Sequence, residues 1–354
     1  LMQGIQNSSF ILALETLSMK YRTAGGLIFV TSEAIGLLFL DVLVYVVKDW
    51  KKVQLATGVL PFLQVLAIWC IPESLRWNIV QKNFNEAEAI IKRTIQFNKL
   101  TFPQKLFDEI KNDAFEKTSE PVERKENMLD VFKSPKLRKI TFVLFLAWFT
   151  FSAAYFGLAF HISHLFGSKY LNFAISTILD AIGVSSLLWI MPRYGRRRPL
   201  AILFFTCALA TGVCSIVASQ SVPGMAIYIG TVMAIIGKTT IACCIAIGYV
   251  YTSELYPTVV RNVSFGINTF WARIGGMAAP QIFFLKTYAA FVPYTILAIL
   301  TFIDGLLTLL LPETNNSSFA DRLKISMSSL LDKQDDLINS CPDKKKTEYY
   351  ETSI

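Results

Sequence analysis

Four ionisable residues lie deep inside long apolar stretches of the sequence: Arg273, Lys238, Asp180 and Glu33. A charged side chain near the middle of a bilayer costs about 2.5–3.5 kcal/mol on insertion scales, so such residues usually serve binding or transport. A guanidinium always keeps its charge and presents a planar fork to a carboxylate, whereas a carboxylate attracts a cationic group. Together these residues predict a site that binds small organic ions.

Arg273 is the sharpest case among the four. It lies twelve residues after Arg261, which is about 18 Å along a helix and therefore near the middle of a membrane span. Gly275 follows closely and allows a helix or a ligand to approach. We predict that Arg273 binds an anionic group, with a structural pair to a protein carboxylate as the alternative.

Other charges inside the apolar stretches keep several interpretations open. Lys238 could attract an anion or take part in coupling transport to an ion, or it could pair with an acid such as Asp180 or Glu33. Asp180 could pair with Lys238 or Arg273, or bind a cationic head group. Asp304, in the last apolar stretch, is expected to be a packed and paired residue.

Aromatic residues accompany these charges and could hold a quaternary ammonium group by cation–π attraction. The candidates for substrate binding are Tyr155, Phe156 and Trp271. For any single ring, packing against helices or lipid is the simpler interpretation.

The elements that must position these residues are membrane-spanning helices. The 354 residues are 53% hydrophobic and only 17% charged, whereas soluble domains are nearer a quarter charged. Apolar runs of about 20 residues cross a bilayer as helices. Nine such stretches lie near residues 1–19, 24–47, 53–71, 139–160, 171–191, 199–219, 224–251, 262–285 and 290–311.

The net charge of +8 does not indicate nucleic-acid binding, because the basic residues cluster in short loops after alternate stretches. The six cysteines show no zinc or disulfide spacing, and no nucleophile–base constellation appears. We therefore expect no cofactor, no metal ion and no enzymatic activity. The lipid bilayer and a small organic ion are the expected partners.

Several landmarks recur at fixed distances and indicate two related halves. Glu15 and Arg22 are seven residues apart, as are Glu254 and Arg261. Such parallel repeats are typical of transporters. The basic turn at 195–199 has no counterpart before Glu15, so about three further spans are expected upstream.

The repeat divides the chain into four parts. Residues 1–71 form the last three spans of an N-terminal helix bundle, and 72–138 form a cytoplasmic linker with an amphipathic stripe that includes Ala87 and Ile91. Residues 139–311 form a six-helix C-terminal bundle, and 312–354 form a cytoplasmic tail. The tail ends in Thr352, Ser353 and Ile354, which fits PDZ-domain capture by strand addition.

Charged residues at the cytoplasmic rim are predicted to act in gating. Charge pairs between the halves would close the inner side and break when the halves rock; simple topology anchors are the alternative. These residues are Glu15, Arg22, Glu73, Arg76, Arg196, Arg197, Glu254 and Arg261.

The segments 254–261, 195–199 and 72–77 resemble signatures of the major facilitator superfamily. Residues 170–173, Trp50 with Gln54 and Leu55, and 249–262 resemble the solute carrier 22 family, most closely its organic cation/carnitine branch. The resemblance implies an all-α membrane protein of two pseudo-symmetric six-helix halves, of which this chain holds about nine helices. In that family, carriers of anions and zwitterions tend to have Arg at the position of Arg273. Pro192 departs from the family, which usually has Asp there.

The resemblance implies a multi-pass plasma-membrane transporter that carries zwitterions or organic anions such as carnitine-like compounds by alternating access. Two alternatives stay open. A sugar porter of the same superfamily would use neutral hydrogen-bonding side chains, which the intramembrane charges argue against. A non-transporting membrane protein would act through its PDZ-binding tail.

Overall fold

The structure is a computed structural model of the 354-residue chain. It describes residues 2–17, 21–68, 83–98, 135–162, 169–220, 225–256 and 261–314, together with Glu73, Leu75 and Asn78. Ten α-helices and one short 3₁₀ helix can be followed in these ranges. The helices are α1 (Met2–Thr16), α2 (Arg22–Val47), α3 (Trp50–Ile68), α4 (Phe84–Asn98), α5 (Pro135–Ile162), α6 (Lys169–Tyr194), α7 (Arg197–Gln220), α8 (Met225–Leu255), α9 (Arg261–Phe284) and α10 (Val292–Thr308), with the 3₁₀ helix Leu285–Thr287 between the last two.

Nine of these helices, all except α4, coincide with the nine predicted apolar stretches, and the all-α prediction is confirmed. Among the described residues, five segments combine enough length and apolar character to cross a membrane. They are Ala24–Val47, Leu137–Phe160, Tyr170–Tyr194, Arg197–Ser219 and Tyr228–Leu255.

Helix α4 lies in the predicted linker between the bundles. Its apolar stripe is formed as expected: Ala87 is fully buried beside Phe84, and Leu75 and Ile91 pack against this pair. Only this stripe of the amphipathic helix has to be buried, because the opposite face is polar.

The C-terminal bundle is built on the pairing of α5 with α9 and of α7 with both α8 and α10. Gly275 makes the first pairing possible, since a Cβ atom at this position would lie 2.1 Å from the backbone oxygen of Phe149. No side chain fits between two helices at that separation, so the chain needs glycine there.

Helix α2 connects the two bundles, because it packs against α6 and α8 of the C-terminal bundle as well as against α1 and α3. Near its start, Gly26 lies so close to α8 that a Cβ there would be 3.0 Å from a methyl carbon of Val250. A second link joins α1 to α9, where the amide of Asn7 donates a hydrogen bond to Thr269 Oγ1 over 3.1 Å. The space between the bundles is therefore bounded by helices from both halves.

Helix α6 runs through Pro192 and ends at Tyr194, so the proline that replaces the family's Asp lies within the last turn of the helix. The chain then reverses at Gly195, whose φ of +82° falls in the left-handed region that favours glycine. Helix α7 begins two residues later at Arg197.

Candidate functional site

A cavity of about 170 Å³ lies between the two bundles. Its wall comes from α1 and α2 on one side and from α5, α6, α8 and α9 on the other. The polar and charged residues that line it are Gln6, Glu33, Ser152, Thr177, Asp180, Thr269 and Arg273, and the aromatic ones are Trp148, Phe151, Tyr155, Phe156 and Tyr249.

Five of the seven residues predicted to bind substrate line this cavity: Arg273, Asp180, Glu33, Tyr155 and Phe156. The other two lie elsewhere. Lys238 lies beside the cavity and is only 1% exposed. Trp271 is outside the lining, and its ring stacks on Phe145 with 5.3 Å between the centroids.

Asp180 and Lys238 form a buried ion pair that joins α6 to α8. Lys238 Nζ lies 2.5 Å from Asp180 Oδ2, and the hydroxyl of Thr239 donates to Asp180 Oδ1 over 3.2 Å. The same ammonium lies 4.9 Å from the ring centroid of Tyr155. The charge of the Asp180 carboxylate is therefore compensated by Lys238. Of the pairings that the sequence left open for these two residues, the structure shows this one.

Arg273 and Glu33 differ from this pair. Within the described residues, neither side chain takes part in a salt bridge or a side-chain hydrogen bond. They lie within electrostatic range of each other across the cavity, with Glu33 on α2 and Arg273 on α9. The cavity thus carries one fixed cation and one fixed anion that face it from different bundles.

Four neutral polar residues of the lining escaped the sequence analysis: Gln6, Ser152, Thr177 and Thr269. Thr177 lies three residues before Asp180, and Thr269 lies four residues before Arg273. Residues three or four apart share one face of a helix. Their spacing from the predicted charged residues could therefore have identified Thr177 and Thr269 as lining residues from the sequence alone.

A layer of aromatic rings lies at one end of the cavity and consists of Phe10, Phe29, Trp148, Tyr249 and Phe265. Phe10 contacts Phe29 and Tyr249 with centroid distances of 5.4 and 5.3 Å, and Trp148 contacts Tyr249 at 5.0 Å. Phe10 and Phe265 are fully buried. The layer holds rings from both bundles, since Phe10 and Phe29 come from α1 and α2.

The position of the layer follows from helix geometry. Phe10 lies four residues after the cavity residue Gln6, and Phe265 lies four residues before Thr269. One helical turn is 3.6 residues, so Phe10 and Phe265 lie about one turn beyond the lining, to which Trp148 and Tyr249 belong. The layer lies toward the end of the bundle where α8 finishes at Leu255.

A charged cluster lies at that same end. Arg196 Nη2 is 3.1 Å from Glu254 Oε1, which ties the turn after α6 to the end of α8. The Glu313 carboxylate accepts backbone N–H bonds from Arg196 and Arg197 at 2.9 and 3.2 Å. An anion at the start of α7 is favourable because the first N–H groups of a helix lack partners. Thr314 completes the cluster by donating to Glu254 Oε2 over 2.5 Å.

This cluster contains three of the eight predicted gating residues, and its ion pair lies within the C-terminal bundle. The side chains of Glu15, Arg22, Arg76 and Arg261 fall outside the described part of the chain, and Glu73 is exposed. The proposed PDZ ligand, Thr352 and Ile354, also lies outside the described residues. Pairs between the two halves stay a prediction.

Comparison with known proteins gives a family match over most of the chain. The model of the family described as "Sugar (and other) transporter" matches residues 12–322. In solved structures, the fold resembles the E. coli xylose transporter XylE. The TM-score is 0.68 at 13% identity for XylE bound to 6-bromo-6-deoxy-D-glucose, covering 87% of this chain and 68% of XylE, and 0.58 for its inward open conformation.

Curated relatives are similar in sequence as well. The human organic cation/carnitine transporter 2 is 32% identical over 320 residues, which cover 89% of this chain and 56% of that protein. An organic cation transporter protein of Drosophila melanogaster is 31% identical over 328 residues, covering 91% and 58%. Human solute carrier family 22 member 13 is 30% identical over 322 residues, covering 91% and 56%. The chain thus spans little more than half the length of the curated relatives it matches.

Proposed function

The chain belongs to the sugar (and other) transporter family of the major facilitator superfamily, and we propose that it forms the pathway through which small organic ions cross a membrane by alternating access. In this family the two bundles rock about a central site. The cavity between α1, α2 and the C-terminal bundle is that site. The protein moves its substrate without converting it chemically.

The substrate is a zwitterion or an organic anion, with carnitine-like compounds first. The observation that carries this proposal is the pair of charges without ion-pair partners in the described residues, Arg273 and Glu33, which face one cavity from opposite bundles. Arg273 binds the carboxylate of the substrate through its planar fork. Glu33 and the ring of Phe156 face the cationic end, where cation–π attraction adds to the Coulomb term.

Asp180 has a secondary part in this arrangement. Its charge is compensated by Lys238, so it offers a substrate little net attraction. The names of the relatives are consistent with this division, because carnitine carries both a quaternary ammonium group and a carboxylate.

Uptake by cells that express the full-length protein tests the proposal. Labelled carnitine, an aromatic carboxylate, tetraethylammonium and glucose would be compared for the wild type, Arg273→Gln and Glu33→Gln. A hydrogen bond to a charged group contributes about 1.5–3 kcal/mol, so Arg273→Gln should raise the KM for carnitine roughly 10- to 150-fold. Tetraethylammonium, which has no carboxylate, should respond to Glu33→Gln and not to Arg273→Gln.

The matched control is Lys286→Gln, which removes a cation from the exposed 3₁₀ helix after α9. It should leave every KM unchanged. Carnitine uptake that is equally insensitive to Arg273→Gln would contradict the role of Arg273. Uptake of glucose alone, unaffected by either cavity variant, would establish the sugar porter instead.

The tail and the topology complete the proposal. The protein is a multi-pass protein of the plasma membrane with its C-terminus in the cytoplasm, where Thr352 and Ile354 bind a PDZ domain. Deleting the last three residues should abolish PDZ binding and leave the KM for carnitine unchanged. Retained tail binding in a full-length protein without any flux would favour the non-transporting alternative.

A further inference from the structure

Asp304 is a third intramembrane acid, after Glu33 and Asp180, and it does not line the cavity. It lies in the last two turns of α10 and is 0% exposed. Neither of its carboxyl oxygens has a hydrogen-bond partner in the described part of the chain. The sequence predicted a paired residue here, and the structure shows no charged partner within the described ranges.

Residues from three other helices, α5, α7 and α8, lie near Asp304. The polar neighbour is Thr150 on α5, whose buried hydroxyl likewise has no hydrogen-bond partner in the described residues. The nearby titratable group is the thiol of Cys244 on α8, which in turn lies near Cys207 on α7. Next to Asp304, Gly305 packs against the ring of Phe205, also on α7. No lysine or arginine of the described ranges acts on the carboxyl group.

An ionised carboxylate in such a place would be very unfavourable. Burying an isolated charge costs far more than burying a neutral polar group, and the group takes up a proton instead. A protonated carboxyl group also gains a donor, which suits the free lone pairs of the Thr150 hydroxyl. A metal cation is a poor alternative, since hard cations need six or more oxygen ligands and these two residues offer three.

We propose that Asp304 is a proton-binding site in the core of the C-terminal bundle, with its O–H group donating to Thr150 Oγ1. The proton is resident and is not exchanged during transport. All the residues around it belong to helices of one bundle, which moves as a body when the two halves rock. The site therefore stays sealed in both directions of access.

Infrared spectroscopy of the full-length protein in lipid vesicles tests the proton directly. The wild type should show the carbonyl stretch of a protonated carboxylic acid from pH 5 to pH 8, and carboxyl-¹³C labelling of aspartate should move it. Asp304→Asn should remove this band, whereas Glu86→Gln, which removes an exposed acid on α4, should keep it. Absence of the labelled band in the wild type would overturn the proposal, even if Asp304→Asn failed to fold.

Thermal unfolding gives an independent readout. Above about pH 4 the unfolded chain releases the proton of an aspartic acid, while the folded protein keeps it. The equilibrium constant for unfolding of the wild type should then rise tenfold per pH unit relative to that of Asp304→Asn. The Tm of the wild type should fall below that of the variant by a margin that widens from pH 5 to pH 8. A constant margin would overturn the proposal.

Two further outcomes would also count against it. If Asp304→Asn abolished the pH dependence of substrate uptake, the proton would be exchanged in each cycle and would not be resident. If sodium in place of potassium raised the Tm of the wild type and not that of Asp304→Asn, the bound ion would be a metal cation.

Discussion

At the residue scale, the charges inside the bundle differ in how the protein compensates them. Asp180 and Lys238 compensate each other over 2.5 Å, whereas Arg273 and Glu33 line the cavity and form no ion pair within the described residues. A compensated pair adds little net charge to the cavity. The two charges without such partners therefore decide which ligand the cavity attracts.

The ion pair between Asp180 and Lys238 makes a stability prediction. Asp180→Asn or Lys238→Met alone leaves one buried charge without its partner, which should lower the free energy of unfolding by about 3–5 kcal/mol. The double variant removes both charges and should recover most of that loss. Urea unfolding in detergent would measure the three variants. Additive losses in the double variant would contradict a coupled pair.

Much of the cavity could be predicted from residue types alone. Arg273, Asp180 and Glu33 stand out because ionisable residues are rare in apolar helices. Trp271 lies outside the lining for a geometric reason: each residue turns a helix by about 100°, so a residue two positions before Arg273 lies on a different face. The partner of Lys238 could not be predicted, since both Asp180 and Glu33 were within its reach by depth.

At the scale of elements, α5 and α9 approach each other closely at Gly275. Gly275→Ala would place a methyl group 2.1 Å from the Phe149 carbonyl oxygen. Backbone cannot move aside as a flexible side chain can, so the two helices must separate. We expect a loss of about 1–3 kcal/mol in the free energy of unfolding, as for other overpacked sites.

The same helix provides the control for this prediction. Gly266→Ala on α9 has no atom within 4 Å of the new methyl group, so it should be neutral or stabilising by up to about 1 kcal/mol through helix propensity. Thermal unfolding of both variants would separate helix packing from propensity. A similar loss in both would contradict the close approach.

The elements themselves were largely predictable, because membrane spans have a strong signal of length and hydropathy. Their partners were not. The rim pair Arg196–Glu254 joins residues 58 positions apart within one bundle, and the repeat pattern gave no hint that it would not cross to the other half. Contacts between helices depend on how their side chains fit together in three dimensions, which cannot be deduced from a single sequence.

At the scale of the whole molecule, the aromatic layer separates the cavity from the end of the bundle that carries the basic turn. Phe10→Ala removes the ring that contacts both bundles and should open this end. A cysteine placed at Ala34 in the cavity would report the opening by its rate of reaction with a membrane-impermeant thiol reagent. Cytoplasmic reagent should label Ala34→Cys several-fold faster in the Phe10→Ala background.

Phe97→Ala is the matched control, because this ring is 88% exposed on α4. It should not change the labelling rate. The native cysteines within the described residues are buried and should react slowly. Equal labelling of Ala34→Cys with and without Phe10 would show that other residues close this end of the cavity.

The placement of Arg273 and Glu33 on separate bundles has a consequence for ligand length. Under the proposed function, a bound zwitterion bridges the two bundles, with one end held by each. A molecule whose length matches the spacing of the two charges in the closed state lets the bundles come together and should be transported. A longer molecule keeps the bundles apart, so lengthening the chain between ammonium and carboxylate should turn a substrate into an inhibitor.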